Sequence, residues 1–396
     1  MGYPGGGRHH PITFANETHA FLLTGTTSAS IATREVFLYT EADDTWTQLP
    51  DVPGPARSFG YGVVLTDDGS SDAFCGLGLN DEGQYLSDWW KFDMQTLAWE
   101  QLASLPSFGR RHPAVVPVQL ASGDWKIHVG LGDGAPGNLN DWWIYDVASD
   151  SWTEGPEFPS TPRHHPFYFG LGEFSYAGLG HSDAADVFQL LSGVPQIERD
   201  WYRFDDSTQE WERQADFTSY SVLSSRKEEV SSEARVAGTQ FSIEGPLLSP
   251  PSDVSLGFVL SGDGDDHRTM QTGEFHAFHP ATNDEPSFWQ ELPPHPGTSR
   301  WAPGSFVMRG TTRAYFTSGL DRTTGDYYSD LWMIDVGELF SGDGGVVPVE
   351  TNSGATNNGG APFEQNTGGS VVSVSATTRN GATGLGLLVA LLVTLQ

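Results

Sequence analysis

Apolar residues along this chain come in short runs separated by polar turns, without the three-to-four-residue rhythm of an amphipathic helix. Residues 114–118 (AVVPV) and 257–260 (GFVL) are typical. Runs of this length, bounded by Gly, Pro, Asn and Asp, predict buried strands. They recur in a fixed order. Each unit opens on an arginine: Arg8, Arg57, Arg110, Arg163, Arg235 and Arg300. Five of these follow a proline four residues earlier (Pro4, Pro53, Pro106, Pro159 and Pro296). An apolar strand comes next, then a second strand ending in glycine, as in Gly76-Leu77-Gly78, Gly130-Leu131-Gly132, Gly178-Leu179-Gly180 and Ser261-Gly262. A third strand carries an aromatic signature, Asp88-Trp89-Trp90-Lys91-Phe92, Asp141-Trp142-Trp143-Ile144-Tyr145, Asp200-Trp201-Tyr202-Arg203-Phe204 and Asp330-Leu331-Trp332-Met333-Ile334, with looser copies at 34–40 and 273–279.

A tryptophan stands seven residues beyond the strand's aromatic in four units: Tyr39/Trp46, Phe92/Trp99, Tyr145/Trp152 and Phe204/Trp211. Trp289 is the late fifth member, so the spacings are 53, 53, 59 and 78 residues. The long intervals mark two insertions, around 184–198 and 217–234, which read as exposed loops. Glycine-bounded second strands, the later Tyr or Phe and the tryptophan resemble the kelch repeat, whose period near 50 residues is one four-stranded blade. Galactose-oxidase-like propellers share it. The resemblance covers roughly residues 8–337 and implies an all-β, six-bladed kelch-type β-propeller over residues 1–340. The aromatic rings are expected to fill the wedges between neighbouring blades, each burying about 150–250 Å².

The sixth unit has its third strand but no tryptophan-bearing fourth, and Pro4 stands where the other units have already closed that strand. Three closures are open: a natural chain starting further upstream, with both a signal peptide and the missing strand; a three-stranded sixth blade; or closure by a tail segment such as 346–350. From about residue 341 the texture turns to Gly, Asn, Thr and Ser, so 341–374 reads as a disordered stalk. Residues 375–396 run from small residues at Ser375-Ala376-Thr377 through a polar spacer to an uncharged apolar end, shorter than the roughly 20 residues of a spanning helix. That order resembles a GPI-attachment signal with Ser375 as the candidate site, the runner-up being a short membrane anchor. Either places the chain outside the cell, tethered at its C-terminus, and Asn16-Glu17-Thr18 is an N-glycosylation sequon consistent with that location.

The net charge of −31, from 51 acidic against 20 basic residues, argues against nucleic-acid binding. The one cysteine, Cys75, excludes an intrachain disulfide and reads as a buried strand thiol. A monomer is expected.

Candidate chemistry lies at the start of the first strands, which in a propeller line the central channel. There Arg8, Arg57, Arg110, Arg163, Arg235 and Arg300 would ring one mouth, joined by His10, His112 and His165 from three of the units. Loops on the same face carry Asp81, Asp133, Asp183, Asp263, Asp265, Asp266 and Asp321. Guanidinium forks suit carboxylates and sulfates, which predicts a ligand-binding mouth; the alternative is structural pairing of each arginine with a loop aspartate or backbone carbonyls. Three imidazoles suit copper or zinc. The residues 263–266 have the texture of a calcium loop without EF-hand spacing. The Tyr-His pair and Cys–Tyr crosslink that the resemblance to copper radical oxidases implies have no counterpart here. No catalytic residue or required cofactor is therefore assigned. The expected function is a non-catalytic, cell-surface propeller binding a protein or glycan ligand. The alternative is a propeller enzyme acting on a sugar at the Arg/His-lined mouth, like a copper-radical oxidase or a sialic-acid epimerase.

Overall fold

The structure is a computed structural model and describes residues 2–67, 70–182, 197–217, 219–221, 228–230, 234–264 and 273–340. The stalk at 341–374, the terminal segment with Ser375, the proposed closing segment at 346–350 and most of the first insertion lie outside the described residues.

The short apolar runs form antiparallel sheets, as predicted. The first sheet is Ile12–Ala15, His19–Leu23, Val36–Thr40 and Thr45–Leu49. The second is Tyr61–Asp67, Ser70–Gly76, Trp89–Asp93 and Ala98–Leu102. Ala114–Gln119, Trp125–Gly130, Trp142–Asp146 and Ser151–Glu154 make the third, and Phe167–Leu171, Phe174–Gly178, Trp201–Asp205 and Glu210–Arg213 the fourth. In the fifth, Thr239–Ile243, Leu256–Leu260, Phe275–His279 and Phe288–Glu291 follow the same order. The sixth holds Gly304–Val307, Arg313–Thr317 and Leu331–Asp335. Within each sheet the strands pair in sequence order. The second insertion departs from a plain loop: Ser219–Ser221 adds in parallel to the outer strand of the fifth sheet and pairs with Glu228–Val230.

A repeated hydrogen bond joins one unit to the next. After the second strand comes a residue with positive φ (Thr24, Leu77, Leu131, Leu179, Ser261, Ser318), then a glycine with φ between 84° and 101°. That glycine donates its N–H to the carbonyl of the arginine opening the following unit: Gly25 to Arg57, Gly78 to Arg110, Gly132 to Arg163, Gly180 to Arg235 and Gly262 to Arg300, at 2.7–3.3 Å. Gly319 donates to Arg8 at 2.7 Å, and the series returns to its start. Glycine is required by more than its φ: a Cβ at Gly78 would lie 2.4 Å from the Ser58 carbonyl oxygen. The fold is therefore β-propeller-like, with its units tied in a cycle.

The N-terminal segment is tied to the sixth unit. Tyr3 N–H donates to Ser329 O at 2.6 Å, five residues before its arginine. Val52, Leu105, Phe158, Phe217 and His295 make the corresponding bond in the other units, at 2.7–2.9 Å. Among the described residues the sixth sheet has three strands, followed by the short helix Val336–Phe340.

Aromatic packing crosses the boundaries between sheets. Trp89 meets Trp152 edge-on at 5.8 Å, Trp142 meets Trp211 at 4.8 Å, and Trp201 meets Trp289 at 5.2 Å. Each pair joins the first residue of a third strand to the fourth-strand tryptophan of the next sheet. Trp89, Trp142, Trp201 and Trp289 are fully buried, whereas Trp46, Trp99, Trp152 and Trp211 are half-buried. The indole N–H of Trp152 reaches back to Ala103 O at 2.7 Å, that of Trp211 to Pro156 O at 3.1 Å, and that of Trp289 to Ala215 O at 3.2 Å. An aromatic able to donate from its far edge is thus favoured at this position. The six innermost strands enclose a cavity of about 300 Å³, with Thr13, Tyr61, Val115, Tyr168, Gln240 and Ser305 in its wall.

Candidate functional site

The six arginines are buried and paired, as in the structural alternative held open from the sequence. Each is 0–2% exposed and is held by an acid of its own unit. Arg57 bonds both oxygens of Asp88 at 2.8 and 2.6 Å, Arg110 both oxygens of Asp141 at 2.7 Å, and Arg163 both of Asp200 at 2.5 and 3.2 Å. Arg300 pairs with Asp330, Arg8 with Glu35 and Arg235 with Glu274. In five units a second donation goes to the carbonyl of the positive-φ residue: Thr24, Leu77, Leu131, Leu179 or Ser318. The partner acid is the residue that opens the third-strand motif, not a loop aspartate. Burial alone would raise the Asp141 carboxyl; the Arg110, Trp143 and Ser107 donors outweigh it and hold it below its usual value.

The loop aspartates have other tasks. Asp81 accepts from Ala32 N at 2.9 Å, Asp133 pairs with Arg111, Asp263 is buried against Arg322, and Asp321 caps its own turn. Asp183, Asp265 and Asp266 lie outside the described residues. Asn16 is 8% exposed, and its side-chain oxygen accepts from the backbone of Thr18 and His19 in the turn between the first two strands. Cys75 packs with Ile12, Phe14 and Phe21, and burial pushes its thiol up to about 12.

Burying the arginine swings the two residues after it toward the ring's centre. The second of these has positive φ in every unit: His10, Phe59, His112, His165, Ala237 and Ala302, at 49–61°. Their backbones are laced together, His10 N to Ala302 O at 2.9 Å, His112 N to Phe59 O at 3.1 Å and His165 N to His112 O at 3.3 Å. The three histidines named from the sequence are therefore brought into one buried cluster. His10 Nε2 lies 2.9 Å from His165 Nε2, and the His112 ring stacks on His165 with centroids 3.5 Å apart. His10 Nδ1 contacts His9 Nδ1 at 2.7 Å. A neutral His10 has one ring proton for these two contacts, so His9 or His165 supplies the other. Both ring nitrogens of His112 are buried without a hydrogen-bond partner among the described residues.

Burial holds His10, His112 and His165 well below the usual imidazole pKa, and neighbouring cationic charge, including Arg111, pushes the same way. Burial takes His9 down to about 4. These rings are neutral near pH 7, with lone pairs available. One ligating atom from each of His10, His112 and His165 lies within 4.8 Å of the others, the only such group of three among the described residues.

Around this floor stands a half-buried rim. Trp301 meets His10 edge-on at 4.5 Å, and Arg322 lies over the Trp301 ring at 5.5 Å. Tyr327 stacks on His9 at 5.6 Å. The Arg111–Asp133 pair, at 2.6 Å, receives the Tyr85 hydroxyl at 3.4 Å. His164 bonds Asn138 at 2.8 Å and adjoins His181. Of the rim residues only Asp133 was named among the candidates from the sequence. The available signal was the residue immediately after each arginine, which is His9, Arg111, His164 or Trp301 in four units.

No protein-family model matches the chain, and a search of curated proteins finds no match. This arrangement can do two things chemically: offer neutral nitrogen donors at its floor, and present flat aromatic and hydrogen-bonding groups at its rim.

Proposed function

We propose that the chain is a six-bladed kelch-type propeller that binds a glycan, without chemical turnover, on the histidine-floored face of the ring. The observation that carries this reading is the convergence on that face of Trp301, Tyr327, Arg111 and His164 from three different units. Flat rings next to fixed planar donors suit a sugar, whose apolar ring face and hydroxyl edge must both be matched. The unit-to-unit glycine bond, the buried Arg–acid pair and the fourth-strand tryptophan support the kelch assignment, since each recurs at the motif positions. In the same proposal the propeller is displayed outside the cell on a C-terminal tether.

A glycan panel probed with the full chain tests the binding site. The reading expects Trp301→Ala and Arg111→Ala each to weaken binding by about tenfold or more, roughly 1.4 kcal/mol, with the fold retained. Undiminished glycan binding in both variants, or binding to protein ligands alone, refutes it. Release of the chain from expressing cells by a phosphatidylinositol-specific phospholipase tests the lipid tether, and a chain retained after treatment refutes it. The histidine cluster favours one second reading, an enzyme acting on the sugar at the same face. Peroxide release from sugars by copper-loaded protein would support that reading over simple binding.

A further inference from the structure

We propose that His10, His112 and His165 bind a transition-metal ion, zinc or copper(II), at the axis of the ring. The inference does not depend on the glycan reading.

Four features carry it. First, the donors come from three separate units and are set by backbone rather than by side-chain chance. Each histidine occupies the same positive-φ position, and the cluster's N–H groups are tied to neighbouring carbonyls. A site preorganised in this way loses little conformational freedom on binding. Second, the spacing is close to what an ion needs. Zinc–nitrogen bonds of about 2.0–2.1 Å place tetrahedral ligands roughly 3.4 Å apart. The His10 and His165 Nε2 atoms stand at 2.9 Å, and a ligating atom of His112 lies within 4.8 Å of both. Small side-chain rotations close the set.

Third, the cluster carries a cost that an ion would reduce. His112 is 4% exposed, with neither ring nitrogen hydrogen-bonded among the described residues. An unsatisfied buried polar group keeps the desolvation penalty without the compensating bond. Coordination would use one nitrogen's lone pair. Fourth, His10 already has the supporting contact that ligating histidines use. With its Nδ1 against His9 Nδ1, its Nε2 is the atom turned to His165. Such outer contacts fix the tautomer and orientation of a metal-binding ring.

The donor set also selects the ion. All three ligands are neutral nitrogens, which suit zinc and copper and disfavour calcium or magnesium. The adjacent carboxylates are committed elsewhere, Asp133 to Arg111 and Asp263 to Arg322. Three protein ligands are the number used in zinc sites that keep a position for water or substrate.

The test uses the full chain stripped with a chelator, dialysed and titrated with Zn²⁺ and separately with Cu²⁺ by calorimetry, with bound metal counted by mass spectrometry. One ion per chain is expected, with a dissociation constant below about 1 μM, or −8.2 kcal/mol. His112→Gln and His165→Gln should each weaken it by more than about 100-fold, since even outer-shell partners are worth about 10–100-fold. His19→Gln, at the start of the second strand of the first sheet, should leave it unchanged. If the first two variants fail to fold, Co²⁺-loaded wild-type protein decides. Intense visible d–d absorption at one equivalent supports a low-coordinate imidazole site, and the weak spectrum of hexaaqua cobalt overturns it. Absence of stoichiometric ion from wild type, or equal affinity in folded His112→Gln and His165→Gln, also overturns the proposal.

Discussion

Arg110→Ala probes the repeated ion pair in a copy where both carboxylate oxygens are bonded at 2.7 Å. The Arg110 side chain is inaccessible to solvent and donates to both Asp141 oxygens at 2.7 Å, to Leu131 O at 3.1 Å and to Ser107 Oγ at 3.1 Å. Removing one partner of a buried pair costs about 3–5 kcal/mol, because the other charge is left uncompensated. Asp141 is 20% exposed and keeps the Trp143 indole and the Ser107 hydroxyl, both at 2.8 Å. Water and these donors soften the loss, so the expected destabilisation is near the lower bound, about 3 kcal/mol. Guanidinium denaturation followed by tryptophan fluorescence measures it. Combining Arg110→Met with Asp141→Leu should destabilise less than the sum of the single changes, because neither charge is then stranded. The pair also sets an acid limit. The folded Asp141 carboxyl titrates below its usual value, so the unfolded chain binds more protons near pH 4. Its stabilisation is fully present above the unfolded pKa of about 3.9 and is lost as pH falls through the folded one. A loss under about 1 kcal/mol in Arg110→Ala, the value of a solvent-exposed pair, would refute the reasoning.

Other outcomes follow from the same contacts. Gly132→Ala places a Cβ 2.7 Å from Arg111 O at a φ of +92°, and strain of about 1–3 kcal/mol should appear as a lowered denaturation midpoint; an unchanged midpoint would count against the unit-to-unit glycine bond. Trp201→Ala removes a fully buried ring between the fourth and fifth sheets and should cost about 3–5 kcal/mol by the same assay. Cys75 should resist a thiol reagent in the native protein at about pH 8 and react on unfolding, since its thiol is buried and raised to about 12. For metal-stripped protein, stability should fall between about pH 6.5 and pH 4. His9 and His295 are lowered to about 4 when folded, and His10, His112 and His165 are also depressed, so the unfolded chain takes up protons that the folded chain refuses. A flat stability profile across that window would show that these imidazoles are hydrated.

The strands were legible because their signals are local. The Asp-Trp-Trp runs, the glycine-ended second strands and the tryptophan seven residues on each state a strand or turn within a few residues. The role of the glycines was legible only in part. Their positive φ follows from residue type, but donation from Gly25 to Arg57, one unit onward, is a property of the assembled ring. The arginines show where two readings stayed open. Regular recurrence at the start of the first strand placed them at the mouth. A guanidinium that finds an acid such as Asp141, 31 residues later, is drawn inward instead, leaving His9/His10, Arg111/His112 and His164/His165 to form the face. An acid opening the third strand in every unit, Glu35 and Glu274 included, was the available clue. The convergence of His10, His112 and His165 was inferable from their equivalent positions; the orphaned His112 ring was not, because hydrogen-bond satisfaction depends on neighbours from other units.

Closure of the cycle between the first and sixth sheets is the central claim, and a zero-length cross-link measures it most directly. Glu17 and Arg309 face each other across that boundary at 2.6 Å, and Arg309→Lys makes the pair reactive to carbodiimide. Peptide mass spectrometry should find position 309 joined to Glu17, alongside the Lys91–Asp72 link within the second sheet, where the charges stand 2.8 Å apart. Formation of the second-sheet link without the 17–309 link, in a folded monomer, would contradict the closed ring.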